Sequence, residues 1–150
     1  MASAGYAAAA AAARRMGFPV ALALAEAKQE SSGNCHARSP TDARGVLQVE
    51  PYTAIRDGFD PRRLYECEYG AVAGITELQH QIEAEGGITC HAISRYYGSD
   101  AYLSRFRDGC APYGRQVLAR MRAIEREPEA SIMLAEWPVP QRHHHHGRDI

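Results

Sequence analysis

From Phe18 to Ala27 the chain reads FPVALALAEA, apolar on nearly every face that a helix would present. A helix of that kind has to be buried, so the rest of the chain must wrap around it. At 150 residues the chain is long enough to do so as one domain with an ordinary core. The segment then continues through Lys28 and Gln29 to Glu30 and Ser31 before breaking at Ser32-Gly33-Asn34, which sets a carboxylate at the end of a buried helix. A Glu at a helix end usually points into solvent. A buried one keeps its proton, because desolvation disfavours the charged form, and can then give that proton to a leaving oxygen.

The remaining segments also read as helices. Tyr6 to Met16 is dominated by alanine, the strongest helix former, and Gly17 ends it. Pro19 suits the first turn of the buried helix. A third helix is expected from Pro61 to Glu85, with Leu64, Ala71, Ile75, Leu78 and Ile82 at helical spacing and Gly86-Gly87 closing it. Cys90 to Gly98 reads as a short helix ending on glycine, and Ala101 to Arg107 and Tyr113 to Arg126 complete an all-α chain. Paired strands, internal repeats and glycine-rich phosphate loops are not evident. The expected organisation is an alanine-rich N-terminal helix over residues 1–16, a catalytic domain over 17–126, and a tail over 127–150. In that tail His143 to His146 reads as a purification-tag remnant or a native run, not a metal site.

A formal charge of −1 with acids and bases intermixed gives no polyanion-binding surface, so no nucleic-acid partner is expected. No cofactor or metal is expected either, since none of the four cysteines forms a Cys-x-x-Cys pair. An even number of cysteines favours disulfides in an exported protein, with four reduced thiols as the alternative. Three pairings are open; sequence neighbours close first, which favours Cys35 with Cys67 and Cys90 with Cys110. No apolar run approaches the ~18 to 20 residues that span a bilayer. Met1 to Ala13 lacks the positive charge that opens a secretory signal, so an intact signal peptide is not expected. Ala2-Ser3-Ala4 is similar to the small-residue motif before a cleavage site, in keeping with an exported, mature chain.

Glu30-Ser31, Ser39-Pro40, Gly45-Val46-Leu47-Gln48 and Pro51-Tyr52-Thr53-Ala54 follow one another at fixed spacing. Together they resemble the signature of the soluble lytic transglycosylase (SLT) domain, a lysozyme-like, goose-type helical family that cleaves peptidoglycan. The resemblance runs from Gly17 to Gly98. It takes in Gly74 and Leu78, and also Ala92 and Tyr96, with Tyr97 standing where the family has asparagine. It implies that Glu30 is the single general acid and base. Ser39, Gln48, Thr53, Tyr96 and Tyr97 fall to the substrate side, with Tyr96 orienting Glu30, and Ser31 and Gly45 support the loop. Cys35 sits in that catalytic loop, where a bridge would restrain it.

Glu26 stands one turn before Glu30 where the family has an apolar residue. An ion pair with an arginine such as Arg44 or Arg95 is the favoured expectation; the alternative is that Glu26 raises the proton affinity of Glu30 by like-charge repulsion. Glu50, which is expected on the substrate side close to the sugar cleft, and Asp42 also depart from the family pattern, and keep open a hydrolase of lysozyme type in which one of them holds the attacking water. A third reading is a peptidoglycan-binding component of a secretion or phage assembly with weak cleavage. The resemblance implies peptidoglycan glycan strands as substrate, an envelope-spanning secretion or phage machinery as partner, and a monomer. It implies a periplasmic or cell-envelope location, with a virion-associated one as the alternative.

Overall fold

A computed structural model describes residues 4–127. The expected tail, with His143 to His146, lies outside the described residues. Seven α-helices follow one another in these residues: α1 (Ala4–Met16), α2 (Val20–Ser31), α3 (Pro51–Arg56), α4 (Cys67–Glu85), α5 (Cys90–Arg95), α6 (Asp100–Leu103) and α7 (Pro112–Arg126). Among them no strand forms; the only extended pairing is a pair of isolated bridges, Arg38 with Arg44 and Arg44 with Val49.

α2 packs on α1 and α7, α4 on α1 and α5, and α5 on α7, so five helices close a ring around one apolar core. Leu22, Ala23, Ala25 and Ala27 are fully enclosed in it, as a helix apolar on all sides requires. The turn that feeds α2 is made by Gly17 at positive φ, after which the Phe18 amide donates to the Ala13 carbonyl at 2.9 Å. α1 contributes Ala9, Ala12 and Ala13 to the core, short side chains that allow its neighbours a close approach.

The expected continuous helix from Pro61 to Glu85 is not formed. Pro61–Arg63 makes a single 3-10 turn, capped by the Asp60 side chain on the Arg62 amide, and α4 begins only at Cys67. The break lets Leu64 leave the main core for a second cluster with Val49, Ala54 and Ala73, partly covered by Phe59. It also brings the start of α4 to the loop after α2. Cys35 and Cys67 are joined there, and Cys90 at the start of α5 is joined to Cys110 just before α7, each pair with Cα atoms 5.1 Å apart. Bridges that span 32 and 20 residues stabilise by about 3–4 kcal/mol each in the loop-closure picture.

Two further elements differ from the expectation, one a helix that was not expected and the other shorter than expected. α3, a six-residue helix with Pro51 at its first turn, follows the apolar segment Val46 to Val49 directly. The segment expected as Ala101 to Arg107 is helical only over Asp100–Leu103, where Ser99 caps the Tyr102 amide.

Candidate active site

Glu30 arrives on the last turn of α2 and is 3% exposed; Glu26, one turn earlier on the same face, is wholly buried. Opposite them, the first turn of α7 sets Tyr113 with its hydroxyl against both carboxyls. The contact to Glu26 Oε1 is 2.5 Å, and the same oxygen is hydrogen-bonded to Glu30 Oε2. Gly114 makes this approach possible, since a Cβ there would fall within 3 Å of Ser94 Oγ and of the Cys90 carbonyl oxygen on α5. Tyr97 backs the phenol, its ring stacked on that of Tyr113 with centroids 4.9 Å apart. Burial, and then the charges of Glu26 and Glu30, hold the Tyr113 hydroxyl proton well above the usual tyrosine range.

The expected ion pair of Glu26 with Arg44 or Arg95 does not form. Arg44 is bound to Asp42 and to the Pro61 carbonyl, and Arg95 to Gln81, Glu85 and Asp100. Both guanidiniums lie with surface carboxylates, which solvate a charge at less cost than burial beside α2.

Directly after the acid, residues 32–50 form a loop held by its own side chains. Ser31 Oγ donates to the Val46 carbonyl at 2.7 Å, tying the loop to the end of α2. Gln48 sits at positive φ, and its amide donates at 3.0 Å to the carbonyls of both Ala37 and Gly45. Ser39 Oγ accepts from the Ala43 amide at 2.9 Å and the Thr41 amide at 3.2 Å. Tyr96 is wholly buried and donates to the Leu47 carbonyl at 2.7 Å. Gly74 on α4 leaves room for that contact, since its Cβ would meet both Leu47 and the Tyr96 hydroxyl. Thr53 is buried on α3, and Glu50, also buried, accepts from Thr41 Oγ1 at 3.5 Å. Asp42, at positive φ, takes Arg38 at 2.7 Å and Arg44 at 2.9 Å; the hydrogen bond from Arg44, then that from Arg38, holds its carboxyl below the usual range.

A buried acid on the last turn of an enclosed helix, a polar loop packed against it, and an all-helical ring are the parts of a lysozyme-like site. The sequence matches the family described as Transglycosylase SLT domain over residues 7–105. The chain belongs to that family. It is therefore an all-α, lysozyme-like domain of a family whose enzymes are of the lytic transglycosylase type and act on peptidoglycan. No curated protein sequence matches the chain significantly.

The SLT match reaches further than the resemblance read from Gly17 to Gly98: it begins inside α1 and ends beyond α6. That agrees with the packing, because α1 lies against both α2 and α4. Tyr113 lies outside the matched segment, and from the sequence it is expected only as the start of a helix. One signal was present. Pro112-Tyr113-Gly114 puts an aromatic between a residue suited to a first helical turn and one that permits close packing. Among the described residues of this SLT domain, no cluster of three His, Cys, Asp or Glu side chains is arranged to hold a metal ion. Nor is any helix there long and apolar enough to cross a membrane.

Removing the Tyr113 hydroxyl tests how much the site depends on it. Tyr113→Phe is expected to lower peptidoglycan cleavage by about ten- to a hundredfold and stability by about 1–3 kcal/mol, the worth of a buried hydrogen bond to a charged group. Initial rates and thermal unfolding of the same preparation measure both. An unchanged rate would remove Tyr113 from the support of Glu30.

Proposed function

We propose that this SLT domain is a lytic transglycosylase that cleaves the β-1,4 bond between MurNAc and GlcNAc, with Glu30 as its single general acid and base. The observation that carries this reading is the placement of Glu30: buried, on the last turn of α2, with its carboxyl on a tyrosine hydroxyl and a second carboxyl beside it. Such surroundings favour the protonated acid that bond cleavage needs. Glu30 gives its proton to the glycosidic oxygen while the N-acetyl group of the substrate supports the cationic carbon. The resulting carboxylate takes the proton of the MurNAc 6-hydroxyl as that oxygen closes on the anomeric carbon. The product is a 1,6-anhydro end, and no water is consumed.

Within this reading Ser39, Gln48 and Tyr97 position the sugar and its N-acetyl group, Tyr96 and Ser31 keep the loop in register with Glu30, and Thr53 and Gly45 support the loop from behind. The loop's internal hydrogen bonds favour a preorganised surface over one that folds around substrate. The hydrolase reading needs Asp42 or Glu50 to hold a water. Asp42 is already engaged by two guanidiniums, and Glu50 is buried against Thr41 Oγ1. Both arrangements favour the transglycosylase.

The remaining proposals follow from the substrate. Glycan strands lie outside the cytoplasmic membrane, so the working place is the periplasm or cell envelope, or a phage particle that meets the wall from outside. Two disulfides suit such oxidising surroundings. The partner beyond the wall is the envelope-spanning or virion machinery that needs a local opening, the enzyme acts as a monomer, and residues 17–126 with α1 packed on them form the catalytic unit. Mass spectrometry of the fragments released from purified peptidoglycan tests the chemistry. Anhydro-MurNAc ends are expected; reducing ends would replace the transglycosylase with a hydrolase.

A further inference from the structure

We infer that Glu26 is a positioning residue that acts on Glu30 through Tyr113, the two carboxyls and the phenol holding one carboxyl proton in common so that Glu30 meets its substrate protonated. The inference rests on the reading of Glu30 as the acid. It goes beyond it by giving a task to a residue that stands where the family has an apolar side chain.

A phenol has one proton to donate, and its oxygen can also accept. The Tyr113 oxygen is within hydrogen-bond distance of Glu26 Oε1 and of Glu30 Oε2. If both carboxyls were ionised, one contact would be made by the phenol proton, and the other would set a lone pair against a carboxylate. The second contact becomes a hydrogen bond only when a carboxyl supplies its own proton. Burial points the same way, because two ionised carboxylates one helical turn apart and shielded from water are disfavoured. Loss of the phenol proton is not the alternative, since Tyr113 holds it well above the usual range.

The charged and titratable groups on the surrounding elements have engagements of their own. On α2, Lys28 is buried and feels the charge of Arg120. Arg120 of α7 bonds Gln29 at 2.5 Å, and its charge also acts on Tyr6 of α1, whose hydroxyl is pushed up to about 12 by burial. The buried Glu77 of α4 acts on Arg56 of α3. Tyr96 at the end of α5 bonds Leu47, and in the loop Asp42 is held by Arg38 and Arg44 and Glu50 accepts from Thr41.

The sequence of proton positions balances. In the resting state Glu30 carries the carboxyl proton and Glu26 is the carboxylate that receives the Tyr113 hydroxyl. On cleavage the Glu30 proton leaves its hydrogen bond to the Tyr113 oxygen for the glycosidic oxygen; Glu30 becomes a second carboxylate, and Tyr113 can turn its hydroxyl toward it. The proximity of Glu26 then makes Glu30 a stronger base, and it recovers its proton from the 6-hydroxyl. Glu26 gains and loses no proton over the cycle; it sets how firmly Glu30 holds one.

The test compares rate against pH for the intact chain and for Glu26→Gln, reading fragment release from purified peptidoglycan at limiting substrate. The alkaline limb reports loss of the acid proton in the free enzyme. With the Glu26 charge removed, Glu30 loses its proton at lower pH, so the limb is expected to move down by about one unit, which is about a tenfold loss of rate above it. Titration of groups on the peptidoglycan is common to both proteins and cancels. A limb that stays in place, or moves up, overturns the role of Glu26. Glu26→Leu supplies the same readout with the residue type of the family, should the buried amide impair folding; it too must move the limb down. Glu30→Gln, run beside them, keeps the two readings apart. If it cleaves, the acid assignment is lost; if it is inactive and the Glu26 variants keep the original profile, only the present inference is lost.

Discussion

Glu30→Gln is expected to release no measurable fragments from peptidoglycan, a loss on the order of a thousandfold or more for removal of the one general acid. The amide has the shape of the acid and can keep the contact with the Tyr113 hydroxyl oxygen, so the fold should survive. Thermal unfolding should therefore change little, and co-sedimentation with insoluble peptidoglycan should persist. Loss of cleavage with binding and melting retained separates a chemical role from a structural one. Retained cleavage would show that another group protonates the leaving oxygen. The contrast with Tyr113→Phe is informative: that variant keeps the acid and loses its partner, so it should fall short of full inactivation while costing more stability.

Gly45→Ala should be the most damaging small substitution in the loop. Gly45 has φ +86, and a Cβ on it would be driven onto the Leu64 carbonyl oxygen, with the Cys35 carbonyl oxygen 3.7 Å away. Its own amide donates to Ala37 at 2.9 Å, and its carbonyl accepts from the Gln48 side chain at 3.0 Å, so displacing it disturbs the loop on both sides. Left-handed strain and backbone overlap together are expected to cost at least about 3 kcal/mol, lowering the melting temperature by roughly 10 °C. Gly17→Ala is the control, since Gly17 has φ +66 with nothing within 4 Å of its Cβ position. It should lose only the conformational part, about 1 kcal/mol. If the two variants melt together, the close approach of the loop to Leu64 is not a source of stability. Cleavage should fall with Gly45→Ala and hold with Gly17→Ala, because only the former lies in the loop tied to the last turn of α2, which carries Glu30.

The enclosed helix and its acid were legible because a run of apolar residues on every helical face has one fate, and Val20–Ser31 met it. The loop was legible through Ser39, Gly45 and Gln48 because their order and spacing resemble the SLT signature. The break at Leu64 was not. Helical spacing continues across it, and only the pull of a second cluster formed with Val49, Ala54 and Ala73 draws Leu64 aside. α3 was missed for a related reason: six residues are too few to display a period.

The surroundings of Glu30 divide in the same way. Sequence alone determined that an acid would end a buried helix and that a second acid, Glu26, would stand on its face, because positions four apart on a helix are neighbours whatever surrounds them. It could not say what would meet those two carboxyls. An arginine was expected, and the residue that arrived is Tyr113, eighty-three positions beyond Glu30. That choice belongs to the packing of α7 on α2 and α5, where Gly114 lets the helices close. Tertiary structure decided it because a buried carboxyl takes its partner from whatever the fold carries within hydrogen-bond reach, and that distance is set by helices far apart in the chain.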